Sequence, residues 1–147
     1  MSNETILVLD EDPHIQWTLK TLLECEEYIV MGVKTIERVV QNFSEFEVSG
    51  LISEYWIGNY CALETIREIK KRFPEVYVMV LAHDGLDEHK YEEMMHSGVD
   101  DFFLKPISTK KILLHLQKGL RQRSISLVKN RLERELDLKG KRPDNLL

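Results

Sequence analysis

Short apolar runs alternate with helically spaced apolar residues along this 147-residue chain, and that alternation restricts the fold more than any other feature. Ile6-Leu7-Val8-Leu9 is continuously apolar, as a strand covered on both faces must be. It ends at Asp10-Glu11-Asp12-Pro13, where Asp12 can cap a helix and Pro13 suits its first turn. Ile15, Leu19, Leu22 and Leu23 then share one helical face. Tyr28 to Val33 predicts a second strand, and Thr35 to Phe43 a short helix with Ile36, Val39, Val40 and Phe43 inward. Leu51-Ile52 leads a third strand ending near Glu54. Ala62 to Phe73 reads as an amphipathic helix with the stripe Leu63, Ile66, Ile69 and Phe73, stopped by Pro74. Val76 to Ala82 is the fourth strand, Leu86 to Ser97 a charged helix closed by Gly98, and Phe102-Phe103-Leu104 a short fifth strand. Ser108 caps a last helix that meets no breaker until Gly140. Some thirty residues at 1.5 Å each span about 45 Å, too long to lie across one small domain.

Five strands alternating with five helices predict an α/β fold: a doubly wound, five-stranded parallel sheet with an extended C-terminal helix. In such sheets the functional crevice lies beyond the carboxyl ends of the strands. That directs attention to Asp10, Glu11, Glu54, the Leu81–His83 stretch and Lys105. The composition, 43% hydrophobic and 31% charged, excludes a disordered or collagen-like chain. No apolar run approaches the roughly 20 residues of a membrane span, and the polar start, Met1 to Thr5, does not resemble a secretory signal. Cys25 and Cys61 have no metal-ligand spacing. They read as reduced thiols of a cytoplasmic protein.

The strand-end residues resemble the receiver domain of two-component response regulators, the CheY-like (flavodoxin-like) fold, over about residues 4–120. The resemblance rests on Ile6-Leu7-Val8-Leu9-Asp10-Glu11-Asp12-Pro13 and on Ser97-Gly98-Val99-Asp100-Asp101-Phe102-Phe103-Leu104-Lys105-Pro106. It implies that Asp10 and Glu11 are the acidic pair that binds Mg²⁺ and that Lys105 pairs with phosphate. It further implies that Pro106 follows in a cis peptide and that Phe102 takes the aromatic switch position. The family's chemistry is phosphoryl transfer from a histidine kinase to an aspartate, which requires neutralisation of a phosphoryl group in flight.

Two departures matter. The phosphoacceptor position falls on Glu54, and no aspartate lies between Asp12 and Asp84. The Ser/Thr position falls on Leu81, Ala82 or His83, none of which carries a short aliphatic hydroxyl. Glutamate sets its carboxylate one carbon further out, and a displacement near 1 Å can cost on the order of a hundredfold in rate. The same carboxylate is a crude copy of phospho-aspartate and can pair with Lys105. The expected function is therefore an atypical, non-enzymatic receiver module that is not phosphorylated at the usual site. No cofactor is required, and weak Mg²⁺ binding by Asp10, Glu11 and Glu54 is possible. The alternatives are a working phosphoacceptor in a phosphorelay, or a basic-helix DNA-binding protein.

Charge and periodicity assign the rest. Residues 1–104 hold 8 Lys and Arg against 21 Asp and Glu, whereas residues 105–147 hold 12 against 4. An acidic body with a basic end suggests two jobs, or one body with a connector. Leu113, Leu120 and Leu127 recur at seven, and Ile125, Val128, Leu132 and Leu136 at three or four. This predicts a coiled-coil seam and a homodimer through the last helix. Lys139 to Leu147 resembles the connector before the ATPase module of NtrC-type, sigma-54-dependent activators. Residues 1–120 are thus expected to be the receiver-like domain. Residues 121–147 would be a helical extension and linker to an output domain in the same polypeptide, absent here and transcriptional. A histidine kinase or another regulatory protein is the expected partner, nucleic acid only through that output domain, with no membrane contact. The histidines read as surface residues, and Trp56 as exposed or as a lid over the site.

Overall fold

The computed structural model describes residues 3–139. In chain order it has β1 (Thr5–Leu9), α1 (Pro13–Cys25), β2 (Ile29–Val33), α2 (Ile36–Glu45), β3 (Gly50–Glu54), β4 (Trp56–Ile57) and β5 (Tyr60–Cys61). These are followed by α3 (Leu63–Arg72), β6 (Tyr77–Ala82), α4 (Glu88–His96), β7 (Asp101–Leu104) and α5 (Thr109–Leu138). Five strands form one sheet in the order β2-β1-β3-β6-β7, and every pairing in it is parallel. The order reverses beside β1, so a crevice opens at the carboxyl ends of β1 and β3.

Alternation along the strands divides the core in two. Leu7, Leu9, Leu51, Val78 and Val80 pack under α2, α3 and α4, against Val39, Phe43, Leu63, Ile66 and Met94. Ile6, Val8, Ile52, Met79 and Leu81 pack under α1 and α5, against Leu19, Leu23, Ile112 and Leu116. Burial on both faces is why these strands read as unbroken apolar runs. The helices start where side chains satisfy their free amides: Asp12 accepts from the His14 N–H at 2.9 Å, and Asp87 from the Lys90 N–H at 2.8 Å. Ser108 accepts from the Lys111 N–H at 3.3 Å. Gly98, at φ +94°, closes α4 in the left-handed conformation that glycine tolerates.

Several expectations need correction. Val40 is half-exposed rather than inward, because the α2 face is narrower than its apolar content. The α4 helix begins at Glu88, not Leu86, since Asp87 supplies the cap. The antiparallel β4–β5 hairpin was not expected. The seven-residue series Leu113, Leu120, Leu127 is not one seam. Leu120 is buried in the core and Leu113 packs beside it, so the outward stripe is Ile125, Val128, Leu132 and Leu136. Lys105-Pro106 is a cis peptide, as the resemblance implied. The connector-like residues after Lys139 lie outside the described residues.

Beyond Leu120, α5 remains fastened to the base of the sheet. The Arg123 guanidinium lies 3.8 Å from Glu4 and 3.6 Å from Glu47, and the Asn130 amide donates to Glu75 at 2.8 Å. Gly119 lets α5 approach the sheet closely: a Cβ there would come within 2.1 Å of the Tyr77 ring. Gly119→Ala is therefore expected to destabilise the fold by about 1–3 kcal/mol through overpacking, despite alanine's better helix propensity. Urea denaturation of the two proteins measures it.

Candidate functional site

Asp10 follows β1, Glu54 ends β3 and Lys105 follows β7, so three separate strands deliver these side chains to one point. The Lys105 ammonium lies 2.9 Å from Asp10 Oδ2 and also contacts Glu54 Oε2. All three side chains are nearly excluded from water, at 6%, 5% and 7% exposure. Burial by itself would lower the lysine pKa. The hydrogen bonds to Glu54 and Asp10 outweigh burial and raise it above the ordinary 10.5. Asp10 is held further by the Asp12 N–H, which donates to its Oδ1 at 2.9 Å.

The remaining predicted residues are placed differently. Glu11 lines the same crevice as Asp10 and Glu54 without touching Lys105: its Oε1 accepts from the Gly58 N–H at 2.9 Å, which ties it to the β4–β5 turn. Gly58 sits at φ +60°, so the turn that offers this amide suits glycine. Leu81 is paired with Glu54 across β3 and β6. That register gives Leu81, of the three candidates, the place on Glu54's face at Glu54's level. Its side chain lies in the core. Ala82 and His83 instead line the crevice of about 600 Å³ that opens above Asp10 and Glu54. Trp56, half-exposed, and Lys90 line its other side. Phe102 is half-buried, with its ring edge-on to Tyr91 at 5.9 Å.

Sequence reasoning missed Gln16. Its side-chain amide reaches the carbonyls of Val8, Asp10 and Val33 at 3.1, 3.0 and 2.8 Å. It thereby ties the ends of β1 and β2 together and fixes the backbone that carries Asp10. A single polar residue in α1 left no periodic signal by which to find it.

The donor set does not fit the Mg²⁺ that the family resemblance implies. The ammonium of Lys105 stands between the two buried carboxylates, and Glu11, though in the same crevice, has an oxygen engaged by the Gly58 amide. Among the described residues no three Asp, Glu, His or Cys side chains gather into a metal-holding group. The arrangement sets one cation, the Lys105 ammonium, against two buried carboxyl groups.

Lys105→Met removes that cation. It is expected to destabilise the metal-free protein by about 3 kcal/mol, the low end for breaking a buried pair, because the crevice is open. The sign with pH follows from the raised pKa. The lysine's contribution is complete below about 10.5, the ordinary lysine value, and is lost as pH rises through the higher folded-state value. Thermal melts should show a constant gap between the two proteins at neutral pH that closes only in strong alkali. Isothermal titration should show tighter Mg²⁺ binding by the variant, since metal no longer competes with the ammonium. A variant that melts no lower and binds no better would separate Lys105 from the acidic pair.

Comparison with known proteins agrees with the fold. The response regulator receiver domain family matches residues 6–117. The transcriptional regulatory protein ResD of Bacillus subtilis is 24% identical over 124 residues, which are 84% of this chain and 51% of that regulator. This chain thus spans about half of ResD's length. The two-component response regulator ORR5 of Oryza sativa subsp. japonica is 23% identical over 105 residues, covering 69% of this chain and 78% of its own. Among solved structures, the CheY-like receiver domain protein of Methanospirillum hungatei JF-1 superposes with a TM-score of 0.79 at 18% identity, covering 85% of this chain and 99% of its own. With the strand order, the cis Lys105-Pro106 peptide and the family match in agreement, this chain belongs to the response regulator receiver domain family.

Proposed function

We propose that this chain is a receiver module that signals without phosphorylation at the usual site. The observation that carries this reading is the buried contact of Lys105 with Glu54 and Asp10. In a phosphorylated receiver the lysine answers the added negative charge. Here the glutamate carboxylate supplies that charge permanently, so the lysine is already engaged. The Leu81 side chain beside Glu54 offers no hydroxyl to hold a phosphoryl oxygen. Asp10, Glu54 and Lys105 are in this reading a structural remnant of the acceptor site, with Glu11 reassigned to the hairpin.

The module acts as a non-enzymatic, cytoplasmic part of two-component signalling. It governs an output domain joined after residues 121–147, of the transcriptional kind that ResD's name suggests. Its means of control is dimerisation through α5, whose stripe Ile125, Val128, Leu132 and Leu136 is about half exposed. No helix among the described residues is long and apolar enough to cross a membrane. Direct DNA binding by the basic end is the weaker reading, because the outward face of α5 is apolar.

Incubation with a small acyl-phosphate donor and Mg²⁺, followed by intact-mass measurement, should leave the mass unchanged. A gain of one phosphoryl group mapping to Glu54 would overturn the reading. Light scattering should show a dimer, and Leu132→Glu should make it monomeric while leaving its thermal melt nearly unchanged, since Leu132 packs on nothing within its own chain's core.

A further inference from the structure

We infer that the crevice above Asp10 and Glu54 takes an organic cation, a guanidinium group on an aliphatic stem, in place of the metal that its donor set does not fit. The crevice is about 600 Å³, and Asp10, Glu11, Asp12, Glu54 and Asp84 all line it. Two ammonium groups stand against these five carboxyl groups: Lys90 on the wall and Lys105 at the buried pair. The unmet charge lies deepest at Glu54. Asp10 has both oxygens engaged, Oδ2 by Lys105 and Oδ1 by the Asp12 N–H. Glu54 is 7% exposed and gives Oε2 to Lys105, and its Oε1 accepts no hydrogen bond from any other described residue. Nearer the mouth, Glu11 and Asp12 each commit one oxygen to a backbone amide, of Gly58 and His14, and keep the other.

A crevice with excess negative charge but no ligand geometry selects a cation that does not need that geometry. Mg²⁺ demands near-ideal octahedral oxygens, and no three ligating side chains gather among the described residues. A guanidinium spreads its charge over a plane and carries several N–H donors, so it can bond to carboxylates that stand apart. Trp56 is the independent observation. Its half-exposed indole lines the same crevice and is held edge-on by the buried Tyr55 ring, 5.4 Å away between centroids. Aromatic faces attract guanidinium groups, and Ala82 and Leu86 on the same lining offer apolar surface to a stem. An anionic ligand would meet five acids instead.

The test uses the full chain carrying Trp17→Phe, so that Trp56 is its one tryptophan, with butylguanidinium chloride as the probe. Trp56 emission should change saturably as the probe is added at fixed ionic strength. Potassium chloride and magnesium chloride at the same ionic strength should not reproduce the change. No saturable change, or the same change with either salt, would overturn the inference. Asp84→Asn, at an exposed position, should weaken binding roughly twofold to fivefold, and Glu54→Gln roughly tenfold. Trp56→Ala, followed by isothermal titration, should weaken it roughly threefold. Asp84→Asn leaves the buried pair untouched, so it keeps the test decisive where Glu54→Gln folds poorly. Binding that none of the three weakens would place the cation elsewhere and overturn the site.

A second arm identifies the source of the cation. The peptide acetyl-Gly-Gly-Arg-Gly-Gly-amide is titrated beside butylguanidinium. Affinity about tenfold tighter for the peptide, a gain of one contact's worth, assigns the crevice to an arginine side chain of a partner protein. Equal affinity assigns it to a free guanidinium compound. Both results uphold the site, provided Asp84→Asn and Glu54→Gln weaken them. The inference rests on the crevice and not on the phosphorylation reading. A phosphoryl group gained at Glu54 would overturn that reading and leave the guanidinium site standing, whereas a failed titration would do the reverse.

Discussion

The buried ammonium of Lys105 is the point on which the site depends. Asp10 and Glu54 are carried by adjacent parallel strands, β1 and β3, and both face the side of the sheet covered by α1 and α5. Two carboxylates so placed repel each other and would draw in protons or a metal. A single cation arriving from β7 offsets one of the two charges. Glu54 at the end of β3 reaches the lysine directly, so both carboxylates share one ammonium.

The organisation of this crevice was largely legible in the sequence, for a physical reason. Strands buried on both faces must be apolar throughout, and Ile6 to Leu9 and Val76 to Ala82 stand out from anything helical. Their ends mark the crevice, so Asp10, Glu54 and Lys105 could be placed together without coordinates. The β4–β5 hairpin could not. Its two-residue strands, Trp56–Ile57 and Tyr60–Cys61, are too short to show a period, and its hold on the protein runs through one side chain, Glu11, whose acidic neighbours suggested a different use. Gln16 was hidden likewise, because a polar residue capping the ends of two strands leaves no pattern in sequence.

The C-terminal helix shows why a repeat of seven can mislead. Leu113, Leu120 and Leu127 are evenly spaced, yet the first two serve the core of the receiver and the third lies past it. A helix that leaves a domain changes the face it must bury. Its apolar residues near the sheet obey the sheet, and those beyond obey whatever lies outside. The change happens between Leu120 and Ile125, where Arg123 still reaches back to Glu4 and Glu47. Contact with the sheet's base continues along the helix at least as far as Asn130.

That continuity has a mechanical meaning. The helix is unbroken over Thr109–Leu138, so no loop intervenes to absorb motion between the sheet and its far end. The 18 residues after Leu120 form a rigid arm of roughly 27 Å, and a tilt of about 5° at its root moves the tip by roughly 2 Å. A flexible tether would report only that two parts are near each other. A rigid arm reports angle, and the base contacts of Arg123 and Asn130 set the angle from which it starts. The far end of α5 is thus aimed by the sheet, not merely connected to it.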